Sequence, residues 1–175
     1  MATYKIDASH SEITFKVKHL MISNVSGSFQ KFDATMTAEK DDLTDAKITF
    51  EADVDSITTG SEQRDGHVKS DDFFNAEKFP KLTFVSDSFT KVDDETYKLT
   101  GDLTLRDVTK KITLDVNYGG SIVDPWGYTR LGFEINGKIN RKEYDLKWHA
   151  VTETGGFVLS DDVKLHLHAE MVKQA

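Results

Sequence analysis

The chain of 175 residues has the length of one domain, and we expect a single domain over residues 1–175. Thirty acidic and 22 basic residues give a formal net charge of −8, which argues against nucleic-acid binding, because that affinity comes from neutralising phosphates. There is no cysteine, so disulfide scaffolds, cysteine-ligated zinc and cysteine nucleophiles are excluded.

Strict alternation of apolar and polar residues dominates the chain and predicts β-strands that are each buried on one face. In chain order, the alternating segments cover residues 13–17, 25–37, 48–54, 82–90, 97–105, 112–118, 131–139 and 163–171. The alternation is weaker in the second, fourth and fifth of these. The segment Asp124-Pro125-Trp126-Gly127 is typical of a type I turn. Arg106-Asp107 and Gly119-Gly120 predict tight hairpin connections.

A sheet with one apolar face has to cover itself, either as a sandwich or as a closed barrel. Consecutive hairpins without long crossovers favour an all-β, eight-stranded antiparallel up-and-down barrel. The alternation stops between Gly60 and Pro80, where Ser61 and Ser70 are suited to cap the start of short helices. We therefore expect a short helical insert near residues 61–76 that plugs or covers one end of the barrel.

The apolar residues leave two possibilities open for the interior. Eleven phenylalanines outnumber the two tryptophans and five tyrosines, and phenylalanine adds apolar area without a polar atom to satisfy. These rings can simply fill a core, or some of them can line a cavity for an apolar ligand. An eight-stranded barrel has the size at which either outcome occurs.

Two groups of titratable residues are candidates for a reactive or a metal site. His166 and His168 share one strand face at metal-ligand spacing, but no third ligand is evident, so we expect a solvated face and no metal site. His67 lies among Asp65, Asp71 and Asp72, and a histidine beside a carboxylate can act as an acid or base. Hydrolase, zinc-protease, phosphate-loop and dinucleotide motifs are missing, so we expect no catalytic residues and no cofactor.

A set of motifs along the whole chain resembles the YceI-like, polyisoprenoid-binding family. The motifs are Tyr4-x-x-Asp7-x-x-His10-Ser11-x-Ile13-x-Phe15-x-Val17-Lys18-His19, Val25-Ser26-Gly27-Ser28-Phe29, Ser56-Ile57-Thr58-Thr59, Asp65-Gly66-His67-Val68-Lys69-Ser70, Asp72-Phe73-Phe74 with Phe79-Pro80, Gly101-Asp102-Leu103-Thr104 with Val108-Thr109-Lys110, Asp124-Pro125-Trp126-Gly127, Gly132-Phe133, Ile139-Asn140-Arg141 and Glu153-x-Gly155-Gly156. The chain departs from the family at Asp107 and Asp145, where glycine is frequent.

The resemblance implies an elongated, lipocalin-like barrel with a lipid tail along its axis. It implies a bacterial protein that binds or carries a long-chain apolar lipid without catalysis: a polyisoprenoid, an isoprenoid quinone or a fatty-chain compound. In that hypothesis His67 and Arg141 meet the polar head group, and the insert forms one end. The apolar lining is then expected from Phe15, Val17, Phe29, Phe50, Phe73, Phe74, Phe84, Leu103, Leu114, Phe133, Ile135, Leu165 and Leu167.

Two other functions stay open at this point: an enzyme for a small apolar substrate that uses His67 and Asp65, and an interaction domain with a filled core. Exposed strand edges would permit a homodimer. No apolar run reaches the about 18 residues of a membrane span. The first residues lack the apolar core of a signal peptide, so we expect a cytoplasmic protein, or a periplasmic or secreted one whose leader has been removed.

Overall fold

A computed structural model describes residues 1–148 and 158–175. The predicted motif Glu153-x-Gly155-Gly156 lies outside the described residues. The strands are β1 (Ala2–Ile6), β2 (Glu12–His19), β3 (Ser23–Phe29), β4 (Phe32–Ala38), β5 (Lys47–Asp53), β6 (Ile57–Thr58), β7 (Lys81–Lys91), β8 (Thr96–Leu105), β9 (Val108–Val123), β10 (Thr129–Asn140) and β11 (Leu159–Lys173). Helix α1 spans Glu62–Lys69, and single 3₁₀ turns span Ala8–His10, Val54–Ser56 and Arg141–Tyr144.

The eleven segments form eight barrel strands, because three long strands are interrupted. A 3₁₀ turn separates β1 from β2, a bend at residues 30–31 separates β3 from β4, and a second 3₁₀ turn separates β5 from β6. Each of these eight barrel strands pairs antiparallel with the next one along the chain. The last, β11, closes the sheet by pairing with both β1 and β2, the two halves of the first barrel strand. The predicted eight-stranded up-and-down barrel with one short helix is confirmed.

The turns and helix caps form where the sequence predicts them, with two exceptions. Gly119-Gly120 is not a hairpin: Gly132 pairs with Gly120 and Phe133 with Tyr118, so Gly119 is an extra residue within β9. Two adjacent glycines tolerate such a β-bulge as readily as a turn. The hairpin lies at Asp124, whose carbonyl accepts a hydrogen bond of 3.0 Å from the Gly127 amide, as predicted.

The second exception concerns the helical insert, which contains one helix. Ser61 caps the start of α1, since its hydroxyl accepts a hydrogen bond from the Arg64 amide. Ser70 instead ends that helix, because its own amide donates to the carbonyl of His67.

The Arg106-Asp107 connection is confirmed between β8 and β9, with the positive φ of 55° at Arg106.

The interior is packed at one end of the barrel. Phe89 stacks on Tyr97 at 4.5 Å between ring centroids, and Phe133 stacks on Tyr118 at 5.1 Å. Phe89 also meets the edge of Phe133 at 6.4 Å. We call this region, together with the buried Tyr4, Met36, Leu131 and Met171 around it, the packed end.

Side chains at the opposite end also face inward but are only partly buried. On β2 and β11, for example, Phe15, Val17 and Leu165 retain solvent-accessible area although they point into the barrel. Gly27 lies beside Phe15, and a Cβ at Gly27 would overlap the phenyl ring. We call this region the hollow end; the helical insert and the turn at Arg141–Tyr144 surround it. Within the described residues, no helix has the length and apolarity needed to cross a lipid bilayer.

Candidate functional site

A cavity of about 400 Å³ occupies the interior from the hollow end to Phe89 and Phe133 of the packed end. This volume lies within the range of small-molecule sites, which is roughly 300–1,000 Å³. Almost every lining side chain is apolar. The structure places all fifteen predicted site residues on its wall: Phe15, Val17, Phe29, Phe50, His67, Phe73, Phe74, Phe84, Leu103, Leu114, Phe133, Ile135, Arg141, Leu165 and Leu167.

Other lining residues escaped the prediction for two reasons. Ile48, Ile112 and Val163 occupy inward positions of predicted strands, so the alternation itself contained the signal that would have found them. Leu146 and Trp148 follow β10 in irregular backbone, where no period assigns a side. Only the tertiary structure brings them to the cavity.

The helical insert forms part of the cavity wall through an aromatic cluster. The His67 ring meets the edges of Phe73 at 5.1 Å and of Trp148 at 5.3 Å, and Phe74 meets Phe29 at 6.2 Å. His67 both lines the cavity and is half-exposed, so the insert forms part of the boundary between the cavity and solvent. The predicted role of the insert as one end of the interior agrees with this arrangement.

The β8–β9 hairpin holds the insert in place. Arg106 Nη1 donates to the carbonyls of Asp71 at 2.9 Å and Phe73 at 2.8 Å, and Nη2 donates to the Asp71 carboxylate at 3.0 Å. These bonds hold Phe73 against the cavity, where it is 7% exposed. An arginine on one hairpin therefore positions an aromatic residue of the wall.

Asp65 and His67 do not form an acid–base pair, because each is bonded to a different partner. Asp65 accepts hydrogen bonds from the amide of Thr59 at 2.7 Å and from its hydroxyl at 2.5 Å. Burial disfavours the charged form of Asp65, but the bonds from Thr59 outweigh it and hold the pKa of that carboxyl below its usual range. The partner of His67 is Asp72, whose carboxylate lies 2.9 Å from Nε2.

Arg141 is a buried arginine on the cavity wall and is only 3% exposed. Its Nε donates to the Ser160 carbonyl at 2.9 Å, and its Nη1 donates to the Leu146 carbonyl at 2.6 Å. Its guanidinium carbon lies 5.8 Å from the centre of the Phe73 ring. Burial lowers the pKa of Arg141 from its usual value, and the charge of Asp161 opposes this only in part.

The backbone around Arg141 explains one departure from the family. Residue 145 ends the 3₁₀ turn in the left-handed conformation, with φ 63° and ψ 17°. Glycine adopts this conformation without strain, and aspartate tolerates it better than most residues. Asp145 therefore keeps the turn that glycine would permit, and Arg141 keeps its place.

The two histidines of β11 acquire a neighbour that the sequence did not reveal. Glu134, on the adjacent β10, lies 3.6 Å from His166 Nε2 and 3.9 Å from His168 Nε2. His166 Nδ1 lies 2.7 Å from the Asn136 side-chain oxygen. Glu134, His166 and His168 lie on the outer face of the barrel, and each is at least partly exposed. The expected absence of a metal site stays a prediction, although a third potential ligand is present.

Comparison with known proteins places the whole chain among homologues of one type. Residues 4–171 match the family described as YceI-like domain. A UPF0312 protein of Staphylococcus aureus strain USA300 is 37% identical over 171 residues, which cover 97% of each chain. The crystal structure of a Campylobacter jejuni YceI protein superposes with a TM-score of 0.75 at 34% identity and covers 90% of each chain.

Two more distant structures support the fold alone. Burkholderia cenocepacia BcnA gives a TM-score of 0.82 at 21% identity, covering 94% of this chain and 98% of its own. A polyisoprenoid binding domain from Saccharophagus degradans, implicated in plant cell wall breakdown, gives 0.71 at 16% identity and covers 96% and 97%.

Proposed function

The chain belongs to the YceI-like family, and from this premise we propose that its barrel binds a long-chain apolar lipid without acting on it catalytically. The observation that carries the proposal is the apolar cavity of about 400 Å³ between the strands. Apolar cavities stay dry and gain free energy when an apolar ligand fills them. The polyisoprenoid binding of one structural neighbour points in the same direction.

The packed end limits how the tail can lie. Stacked aromatic rings fill the barrel between Phe89 and Phe133, so the tail enters at the hollow end and stops against them. Each buried methylene contributes about 0.8 kcal/mol, so a twenty-carbon tail offers roughly 16 kcal/mol before the cost of ordering it. Polyisoprenoids, isoprenoid quinones and fatty chains all satisfy this requirement, and chains too long for the cavity have to protrude.

The two alternatives receive less support from the residues. A filled core predicts no cavity, whereas the inward residues of β2 and β11 surround one. Catalysis by His67 with Asp65 requires the two side chains to be paired, but each is bonded to a different partner. Ligand carriage needs neither a nucleophile nor a base, so it uses the site as it is built.

The test is organic extraction of the purified, unrefolded protein followed by mass spectrometry. We expect an isoprenoid, quinone or fatty-chain species at a stoichiometry near one per chain. The delipidated protein should then take up a fluorescent fatty-chain probe that the extracted lipid displaces. A clean extract from folded protein that also fails to bind the probe would refute the proposed function.

A further inference from the structure

The outer face of the barrel brings two histidines and a glutamate together on neighbouring strands. His166 and His168 lie two residues apart on β11. Both point outward, because the residue between them, Leu167, lines the cavity. On β10, Glu134 pairs directly with His168 and lies diagonal to His166. Side chains that are opposite or diagonal on one face of a sheet are within reach of one another. The sheet therefore collects three side chains with metal-binding atoms in one place.

The ligand atoms of these three residues lie close to the spacing that a metal ion requires. One ligand atom from each residue is within 4.8 Å of the other two. The Glu134 carboxylate lies 3.6 Å from His166 Nε2 and 3.9 Å from His168 Nε2. Around a tetrahedral zinc ion with ligands at about 2.1 Å, neighbouring ligand atoms are roughly 3.4 Å apart. Small rotations of these partly exposed side chains close the difference, so the backbone does not have to move.

Asn136 orients the ring of His166 for metal binding. Nδ1 of His166 lies 2.7 Å from the side-chain oxygen of Asn136. An amide oxygen only accepts hydrogen bonds, so Nδ1 carries the hydrogen and Nε2 of the neutral ring keeps its lone pair. Metal-binding histidines are commonly held in this way, by a hydrogen bond from the nitrogen that does not bind the metal. The nitrogen left free is the one that lies 3.6 Å from Glu134.

The charges around the three residues suit a cation. Within the described part of the chain, Glu134 forms no ion pair with a lysine or an arginine, so its charge is available to a metal. Glu12 on β2 pairs with His168 from the other side, which gives that histidine a glutamate on each neighbouring strand. The preceding outward residue of β11 before His166 is Lys164, so this positive charge lies farther from the two glutamates.

A second group of potential ligands, Asp7, His10 and Glu170, differs in one respect. Arg130 Nη1 lies 2.9 Å from the Asp7 carboxylate and 2.8 Å from that of Glu170. An arginine therefore already neutralises both carboxylates, and a metal ion would have to displace it. This second group serves as the comparison for the first.

We propose that Glu134, His166 and His168 form a binding site for a divalent transition-metal ion such as Zn²⁺. The expectation of a metal-free face depended on the lack of a third ligand, which Glu134 supplies. Two imidazoles and one carboxylate are a ligand set that binds zinc, with water in the fourth position. Imidazole is suited to Zn²⁺, Ni²⁺ and Cu²⁺, whereas Mg²⁺ and Ca²⁺ prefer oxygen ligands. The site lies on the face of β11 opposite the cavity, so it is independent of the proposed lipid binding.

The test is calorimetric titration of the untagged full-length protein with Zn²⁺ alone. Excess Mg²⁺ in every titration saturates general attraction of cations to the acidic surface. We expect one Zn²⁺ per chain with a Kd in the micromolar range, because three ligands bind zinc less tightly than the four of a structural site. His168→Gln and Glu134→Gln should each weaken binding by at least about tenfold, since loss of even an outer partner of a ligand weakens metal sites about that much.

His10→Gln is the matched control, because it removes an imidazole from the group that Arg130 occupies. We expect this control to bind Zn²⁺ like the unmodified protein. Circular dichroism shows whether each variant is folded. Should neither ligand variant fold, the imidazole NMR signals of the unmodified protein still locate the ion: those of His166 and His168 should shift, and that of His10 should stay.

Three results would overturn the inference. The first is that the unmodified protein does not bind one Zn²⁺ per chain in the presence of Mg²⁺. The second is that folded His168→Gln and Glu134→Gln bind Zn²⁺ as tightly as the unmodified protein. The third is that His10→Gln loses as much affinity as they do, or that Zn²⁺ shifts the His10 signal instead of the two on β11.

Discussion

A tryptophan at position 17 should fill part of the cavity and weaken lipid binding. Val17 on β2 pairs with Val25 on β3 and with Val163 on β11, so three short side chains stand next to one another at the hollow end. All three line the cavity. The indole ring of Val17→Trp would project into the cavity, since its directly paired neighbours are valines.

The magnitude follows from the tail that the ring replaces. If the ring excludes about three methylenes at about 0.8 kcal/mol each, binding weakens by about 2.4 kcal/mol, or about fifty-fold in Kd. The variant should be at least as stable as the unmodified protein, because Val17 is only partly buried and the ring adds apolar contact. In a series of chain lengths, affinity should rise about fourfold per methylene and level off at a shorter chain in the variant.

Probe displacement on delipidated protein measures Kd, and thermal unfolding measures stability. Val85→Trp is the matched control, since it makes the same change at an outward position of β7 that is 52% exposed. We expect the control to bind every chain like the unmodified protein. Equal affinities in the unmodified protein and Val17→Trp, or an equal loss in both variants, would refute the assignment of the tail to this cavity.

Two predictions concern stability. Phe133→Ala removes an 8% exposed ring from the packed end. It should lower the free energy of unfolding, measured by denaturant titration, by about 3–5 kcal/mol. A loss below about 1 kcal/mol would contradict the tight packing of this ring. Hydrogen bonds from Ser9, His10 and Arg130 hold the pKa of Asp7 well below its usual range. The stabilisation is therefore fully present above the unfolded pKa, near 3.9, and is lost as pH falls toward the lower folded pKa. Arg130→Gln should weaken this dependence. The free energy of unfolding should therefore change less between about pH 5 and about pH 2 in the variant than in the unmodified protein, as denaturant titrations at each pH would show.

The strand periods in the sequence identified the cavity wall well, because the pleat sends alternate side chains to opposite faces. Phe15, Leu114 and Leu165 were placed inward on that basis, and all three line the cavity. The alternation predicts the inward side less well beyond a β-bulge, because the extra residue exchanges the inward and outward positions that follow it. On β7 the register changes between Ser86 and Ser88, so Phe89 faces inward although it lies an odd number of residues from Phe84.

Contacts between distant segments were beyond the reach of local patterns. Glu134 lies 32 positions before His166 in the chain, and only the pairing of β10 with β11 brings them to one face. The same holds for Trp148 beside His67 and for Arg106 beside Asp71. Residues in irregular backbone carry no period, so the side toward which they point follows from the packing of the elements around them.

The sequence by itself determined the strands, the inward face of each outside the bulges, the position of the helical insert and the resemblance to the YceI-like family. It left open whether the inward residues fill the barrel or surround a cavity. Only the tertiary structure decided this: the rings around Phe133 pack against one another, whereas the side chains around Val17 leave space. The physical reason is that alternation specifies the face of a strand, while the distance across a barrel depends on strand tilt and stagger, which arise only when the sheet closes.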